Sequence, residues 1–285
     1  MSTISFTGDY FPPGRWPPYD GVPYKSMPTA IIRICTNDGM VIAADGRELR
    51  DFKEVISEDT QKIFEIPNAP AAYAIFGTTR MSADGNNHKT MNLIEEARKA
   101  QLSVSLDKCE DLLQYAERFS KPIQEKLSHW RTDETIMFPP LMAEPKLHGN
   151  PILHLFFFGY HHGIAETIDV MFYHRHHILC DPMITTVDVG IGYPAWVRGS
   201  DKVAEKLFDS KDKRFSPYRK FVPKNWKNLT IPQASRIARD YIRACKSPGG
   251  RAVDRDICFS IGGHIHSALI TPEGFRWLTK PMDKR

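Results

Sequence analysis

Apolar and β-branched positions come in short runs after residue 28, and polar breaks of a few residues separate them. Residues 30–35 and 40–44 are two such runs and predict strands. Asn37-Asp38-Gly39 between them predicts a hairpin turn, because Asn and Gly tolerate the positive φ that such turns need. Closing this hairpin would bring Thr29 and Asp45 next to each other at its open end.

The rest of the chain alternates between blocks of strand pattern and blocks of helix pattern. Further strands are predicted at residues 63–66, 71–76, 152–160, 167–179, 257–261, 267–271 and 275–278. Helices are predicted from Leu93, after a cap at Asp107, over 194–208 and over 232–246, with Pro122 breaking or kinking the second. Segregated blocks of this kind favour an α+β fold over alternating βαβ units. Two helix pairs flanking antiparallel sheets would form a four-layer αββα sandwich.

Two segments have no regular period. Residues 1–28 alternate aromatic residues with prolines, and the six prolines up to Pro28 exclude a packed regular element. We interpret this segment as an N-terminal arm or a propeptide, and residues 29–285 as a single domain. Residues 131–151 contain four prolines and predict an irregular excursion.

Composition narrows the function classes. The net charge is +4, and the basic residues are scattered without a DNA-binding motif, which argues against nucleic-acid binding. The five cysteines are widely spaced with no CxxC pair, as expected for reduced thiols in the cytoplasm. No secretory signal and no apolar run of about 20 residues is present, so a soluble, cytoplasmic protein without membrane contact is expected.

The candidate chemistry lies at the open end of the predicted hairpin. Lys62, in Thr60-Gln61-Lys62-Ile63, starts the next apolar run and can reach the same corner as Thr29 and Asp45. A hydroxyl next to a lysine and a carboxylate is suited to nucleophilic catalysis. A buried Asp45–Lys62 ion pair with a purely structural role is the alternative.

These residues carry a resemblance to a known family. Thr29, the run Asp38-Gly39-Met40-Val41-Ile42-Ala43-Ala44-Asp45-Gly46-Arg47, Lys62-Ile63 and Ala74-Ile75-Phe76-Gly77 resemble the proteasome β-type subunits and their bacterial relatives. Members of that family are N-terminal nucleophile hydrolases with the αββα sandwich fold. The resemblance extends coarsely over residues 29–280 and is specific over residues 29–77.

The resemblance implies a threonine protease without cofactor or metal. Removal of residues 1–28 would expose Thr29 as the N-terminal nucleophile, with Asp45 and Lys62 as the other catalytic residues. Backbone N–H groups near Gly77 would form the oxyanion hole, and peptide bonds would be cleaved through an ester on Thr29. The family implies a homo-oligomeric ring or stacked assembly and a peptide or protein substrate; it does not identify an unfoldase or activator.

Three positions depart from the family pattern. Pro28 replaces the usual glycine before the nucleophile, and Ile191 in Gly190-Ile191-Gly192 takes the place of a helper serine. Ala244-Cys245-Lys246-Ser247 lacks the aspartate of a helper Asp-x-x-Ser, for which Asp240, Asp254 and Asp256 are possible substitutes. Two alternatives therefore stay open. One is a non-catalytic proteasome-like assembly subunit that keeps its arm, and the other is an N-terminal nucleophile hydrolase of small amides.

Histidines are the remaining candidate ligands. His161, His162, His174, His176 and His177 form a cluster in sequence, but no Cys, Asp or Glu motif accompanies them. Histidines that face solvent or an interface are the expected outcome. Gly262-Gly263-His264-Ile265-His266 is interpreted as backbone packing ahead of a strand. The sequence therefore predicts no metal site.

Overall fold

The computed structural model describes residues 29–50, 54–77, 79–82, 90–133, 150–175, 178–179, 182–186, 195–208 and 211–282. The arm over residues 1–28, most of the 131–151 excursion, the turn Gly190-Ile191-Gly192, and His176 with His177 lie outside these residues. What the sequence predicts for them stays a prediction.

The described residues form strands in three blocks and helices in two. The strands are β1 (Ile31–Thr36), β2 (Gly39–Asp45), β3 (Glu48–Arg50), β4 (Glu54–Ser57), β5 (Ile63–Glu65), β6 (Ala71–Gly77), β7 (Arg80–Ser82), β8 (Thr90–Asn92), β9 (Asn150–His161), β10 (Ile164–Arg175), β11 (Ile178–Leu179), β12 (Met183–Thr186), β13 (Ala195–Arg198), β14 (Ile265–Thr271) and β15 (Gly274–Thr279). The helices are α1 (Leu93–Ser103), α2 (Leu112–Asp133), α3 (Asp201–Phe208), α4 (Ile231–Lys246), α5 (Pro248–Val253) and α6 (Arg255–Cys258). Short 3-10 helices cover Leu106–Lys108, Lys213–Tyr218 and Trp226–Asn228.

Two antiparallel sheets organise these elements. The first has the strand order β13-β1-β2-β14-β15, and the second has the order β11-β10-β9-β6-β5 with β12 also paired to β10. Every pairing in the second sheet is antiparallel as well. Strand pairs β3-β4 and β7-β8 form two small ribbons. The predicted α+β class is confirmed at this level.

Three apolar clusters hold the elements together. One cluster combines residues of both sheets, such as Ile42 of β2 and Phe156 of β9. A second packs α1 and α2 on the second sheet, with Phe119 and Phe157 in contact. A third packs α3 and α4 on the first sheet, with Ile237 among its members. All seven residues of β2 are buried, because this strand is covered on both faces.

Local signals predicted several elements well. The hairpin forms with Ile31 paired to Ala44 and Thr36 paired to Gly39. Helix α4 begins after Thr230, whose side chain forms a capping box with Gln233. Strands β5, β6, β14 and β15 lie within one or two residues of their predicted bounds.

Three element predictions differ from the structure, and tertiary packing explains the first two. Helix α2 does not break at Pro122 but continues from Leu112 to Asp133, because Ile123 and Leu127 beyond the proline are buried in the core. The predicted helix over residues 194–208 is strand β13 followed by α3, since Trp196 packs on Phe156 between the sheets. The predicted strand over residues 257–261 is the end of α6 and a turn.

Across the described part of the chain, no helix has both the length and the apolar character needed to cross a bilayer.

Candidate active site

The structure brings Thr29, Asp45 and Lys62 together at the open end of the β1–β2 hairpin. Ala30 and Asp45 hold this end closed, since the Asp45 N–H donates to the Ala30 carbonyl oxygen at 3.0 Å. Lys62 lies directly before β5, and its carbonyl oxygen accepts from the Ile75 N–H at 2.9 Å. One residue from each of three neighbouring strand ends therefore contributes to the corner.

Lys62 joins the other two side chains. Its Nζ donates to Thr29 Oγ1 at 3.1 Å and to Asp45 Oδ1 at 3.1 Å. The residues Thr29, Asp45 and Lys62 are 4%, 0% and 2% exposed. Because water does not screen these contacts, the electrostatic interaction between the lysine Nζ and the threonine hydroxyl is stronger than it would be at the protein surface.

The Asp45 carboxylate is fully hydrogen-bonded. Oδ1 accepts one hydrogen bond from Lys62 Nζ and a second from the Ala30 N–H at 2.9 Å. Oδ2 accepts from the Gly262 N–H at 3.0 Å and the Arg47 N–H at 3.3 Å. All four donors are N–H groups, so each acceptor position of an ionised carboxylate has a partner. The carboxylate, and with it the lysine, is held in one position.

The Gly262-Gly263 turn packs directly against this carboxylate. The Gly262 carbonyl oxygen accepts from the N–H groups of Gly46 and Arg47 at 3.2 and 3.1 Å. A Cβ at Gly263 would lie 2.2 Å from the Glu58 carbonyl oxygen, and φ there is +71°. Both the close approach and the backbone conformation require glycine. The sequence predicts that Gly262-Gly263-His264-Ile265-His266 packs its backbone ahead of a strand. This prediction is confirmed, because β14 begins at Ile265.

We expect Gly263→Ala to destabilise the protein more than Gly163→Ala. Gly163 has a similar φ of +78° but nothing within 4 Å of an added Cβ, so it controls for backbone strain alone. That strain costs about 1–2 kcal/mol, and the clash with Glu58 adds about 1–3 kcal/mol. Urea unfolding of both variants measures the difference. Equal losses would contradict a close-packed turn.

Gly77 and Glu48 belong to segments that adjoin Lys62. Gly77 ends β6, two residues beyond the Ile75 N–H that binds the Lys62 carbonyl oxygen, and has a φ of +101°. Buried Glu48 accepts from the Thr60 hydroxyl at 2.8 Å and the Thr79 hydroxyl at 3.0 Å. It thus ties the segment before Lys62 to the segment after Gly77. Sequence reasoning missed Glu48, since nothing local distinguishes it from a surface glutamate.

A serine–aspartate pair follows the turn that approaches the backbone of Thr29. A Cβ at Gly199 would be 3.1 Å from the Thr29 carbonyl oxygen, so the turn after β13 lies close to the Thr29 backbone. The next residue, Ser200, is buried, donates to Asp254 Oδ2 at 2.7 Å and accepts from the Val203 N–H at 3.1 Å. Asp254 is one of the three residues that the sequence offers in place of the helper aspartate. The only sequence signal for Ser200 is that Gly199-Ser200 comes directly before Asp201, where α3 begins. The helix predicted over residues 194–208 includes both residues, so it gives no reason to single out Ser200.

Comparison with known proteins adds no family to this geometry. No family model matches the chain, and no curated protein matches it. The resemblance to proteasome β-type subunits therefore rests on residues 29–77, and the function drawn from it below is a proposal.

A further polar group is buried near the interface between the sheets. Arg198, which pairs in register with Ile31, donates to Asp169 Oδ2 at 2.8 Å. Burial raises the pKa of Asp169, although Arg198 opposes this effect. Burial, reinforced by Arg198, lowers the pKa of His154 to about 3, so this imidazole is neutral at physiological pH. The sequence did not indicate this group, since its members lie on three separate strands.

The predicted histidine cluster is only partly described. His161 and His162 lie at the β9–β10 turn, with ring centroids 4.1 Å apart. His174 is in β10, and only its backbone is described. A different group, Asp59 with His264 and His266, offers three ligand atoms that all lie within 4.8 Å of one another.

Proposed function

We propose that the chain is a proteasome-like threonine hydrolase, which cleaves amide bonds with Thr29 after residues 1–28 are removed. The observation that carries the proposal is the position of the Lys62 ammonium group, 3.1 Å from both Thr29 Oγ1 and Asp45 Oδ1. A lysine kept charged by a carboxylate favours the deprotonated hydroxyl and so activates it as a nucleophile.

The proposed reaction uses the chain's own N-terminus as the base. Once Pro28 is cleaved off, the Thr29 α-amine, with a reference pKa of about 7.7–8.0, takes the Oγ1 proton directly or through water. Oγ1 then attacks the substrate carbonyl carbon, and N–H groups near Gly77 stabilise the oxyanion. Collapse of this intermediate breaks the C–N bond, the amine leaves with the proton, and water hydrolyses the Thr29 ester.

The fold and the surroundings of Thr29 support the same proposal. Helices pack on the outer face of each sheet and an apolar cluster lies between the sheets, as a four-layer αββα sandwich requires. Ser200, which follows Gly199 in the chain, is hydrogen-bonded to Asp254, and the two are candidates for the helper serine and aspartate. We place them as positioning residues, since neither has a hydrogen bond to Thr29 among the described contacts. A homo-oligomeric assembly and a peptide substrate follow from the resemblance alone.

Intact mass of the purified protein tests the proposal. We expect the 32.6 kDa chain to lose residues 1–28, so that Thr29 becomes the first residue. Thr29→Ala should abolish this loss, because it removes the hydroxyl that attacks the preceding carbonyl. Thr36→Ala, which changes a threonine at the other end of β1, should process normally.

The opposite result would favour a non-catalytic assembly subunit. If the wild-type chain stays intact under all conditions and a peptide boronate does not label Thr29, the nucleophile proposal is wrong. Asp45 and Lys62 would then be a structural ion pair. If Thr29 is exposed and labelled but only small amides are cleaved, the small-amide hydrolase is the correct alternative.

A further inference from the structure

Asp59 is a buried carboxylate without a hydrogen-bond donor among the described residues. Its side chain is 9% exposed, and neither Oδ1 nor Oδ2 has a partner there. Nε2 of His266 lies 3.7 Å from Oδ1, which is beyond hydrogen-bond distance. Buried carboxylates are normally paired, protonated or bound to a metal ion. A bound metal ion would give these two oxygens the partner that they lack.

Two imidazoles face this carboxylate. His264 and His266 flank the first residue of β14, and their ring centroids are 5.2 Å apart. Nε2 of His264 lies 3.1 Å from the Lys280 carbonyl oxygen, and Nε2 of His266 lies 3.1 Å from the Thr60 carbonyl oxygen. Such carbonyl contacts orient histidines at many metal sites. The remaining nitrogen of His266, Nδ1, is buried with no partner in the described structure.

We propose that Asp59, His264 and His266 form a site for a divalent transition-metal ion, with Zn²⁺ as the best fit. One atom from each residue lies within 4.8 Å of the other two. Ligands bound to Zn²⁺ at about 2.0–2.2 Å lie roughly 3.3 Å apart, so the ligand atoms need to approach one another by up to about 1.5 Å. One carboxylate and two imidazoles suit Zn²⁺ and leave a fourth position for water.

The metal ion would connect two segments that position the candidate active site. Asp59 is three residues before Lys62, and β14 pairs with β2 so that Ile265 lies opposite Asp45. The His264 N–H already donates to the Glu58 carbonyl oxygen at 2.6 Å, so the two segments are adjacent without the ion. The ion would neutralise Asp59 and fix the spacing of these segments. The site does not depend on Thr29 acting as a nucleophile.

Zinc titration of the full, metal-stripped chain tests the proposal. We expect one Zn²⁺ per chain by calorimetry, and a binding constant at least about 10-fold weaker in Asp59→Asn and in His264→Ala. A double variant, His161→Ala with His162→Ala, is the matched control, because it removes two adjacent histidines elsewhere and should bind as wild type. No stoichiometric binding, or binding lost only in the control, would overturn the proposal.

A second measurement needs no variant. Diethyl pyrocarbonate modifies accessible unliganded imidazoles, and mass spectrometry locates the modified residue. Zn²⁺ should protect half-buried His264 from modification while leaving His162 reactive. If His264 is modified equally with and without Zn²⁺, the assignment is wrong, and a water-bridged Asp59–His266 pair accounts for the buried charge.

Discussion

Asp45→Ala is expected to lower the free energy of unfolding by about 3–5 kcal/mol, a large fraction of the stability of an ordinary domain. The change leaves the Lys62 ammonium group buried without a counter-charge. It also removes the acceptor for the Ala30 and Gly262 N–H groups. Urea unfolding followed by circular dichroism and by fluorescence measures the loss.

A double variant separates the charge effect from simple loss of packing. Asp45→Ala with Lys62→Met removes both charges, so we expect it to be more stable than Asp45→Ala alone by at least about 1 kcal/mol. Asp38→Ala changes an exposed aspartate at the turn of the same hairpin and should remain close to wild type. If the double variant is no more stable than the single one, the ion pair does not explain the loss.

Lys62→Met is expected to slow covalent labelling of Thr29 by a peptide boronate by about 10²- to 10³-fold, the usual effect of removing one charge-stabilising donor. The chain should be produced with Thr29 exposed by a cleavable N-terminal fusion, so that maturation is not required. Methionine has about the same length as lysine, and Asp45 keeps three backbone donors. The variant should therefore fold.

The matching control is Lys99→Met, which changes an exposed lysine on α1. It should label at the wild-type rate. A Lys62→Met protein that is folded by circular dichroism and still labels at the wild-type rate would show that the lysine is not needed to activate Thr29. Labelling on another residue would exclude Thr29 as the nucleophile.

The part of the site within residues 29–77 could be predicted because it depends on local signals. Asn37-Asp38-Gly39 determines the hairpin, and the hairpin determines that Thr29 meets Asp45. Lys62 follows because β5 starts directly after it. The runs of apolar residues and the turn residues are enough to predict this part of the site, because no distant segment has to be known in advance.

The rest of the site depends on contacts between distant segments, which one sequence does not reveal. Trp196 is compatible with a helix by local pattern, and only its burial between the sheets makes residues 195–198 a strand. The position of Ser200, two residues after the end of that strand, follows from it. Asp59 and His266 are about two hundred residues apart, and only the β2–β14 pairing brings them together.

The hydrogen bond from Gly262 to Asp45 spans 217 residues, and this has a consequence for biosynthesis. Thr29, Asp45 and Lys62 leave the ribosome early, but the turn that completes the carboxylate's shell is made only after 262 residues. N-terminal parts of a chain start to fold while synthesis continues. A nascent chain therefore carries all three side chains of the proposed catalytic group long before the Asp45 carboxylate can receive its hydrogen bond from Gly262. The proposed hydrolytic activity would therefore be delayed until synthesis has passed residue 262.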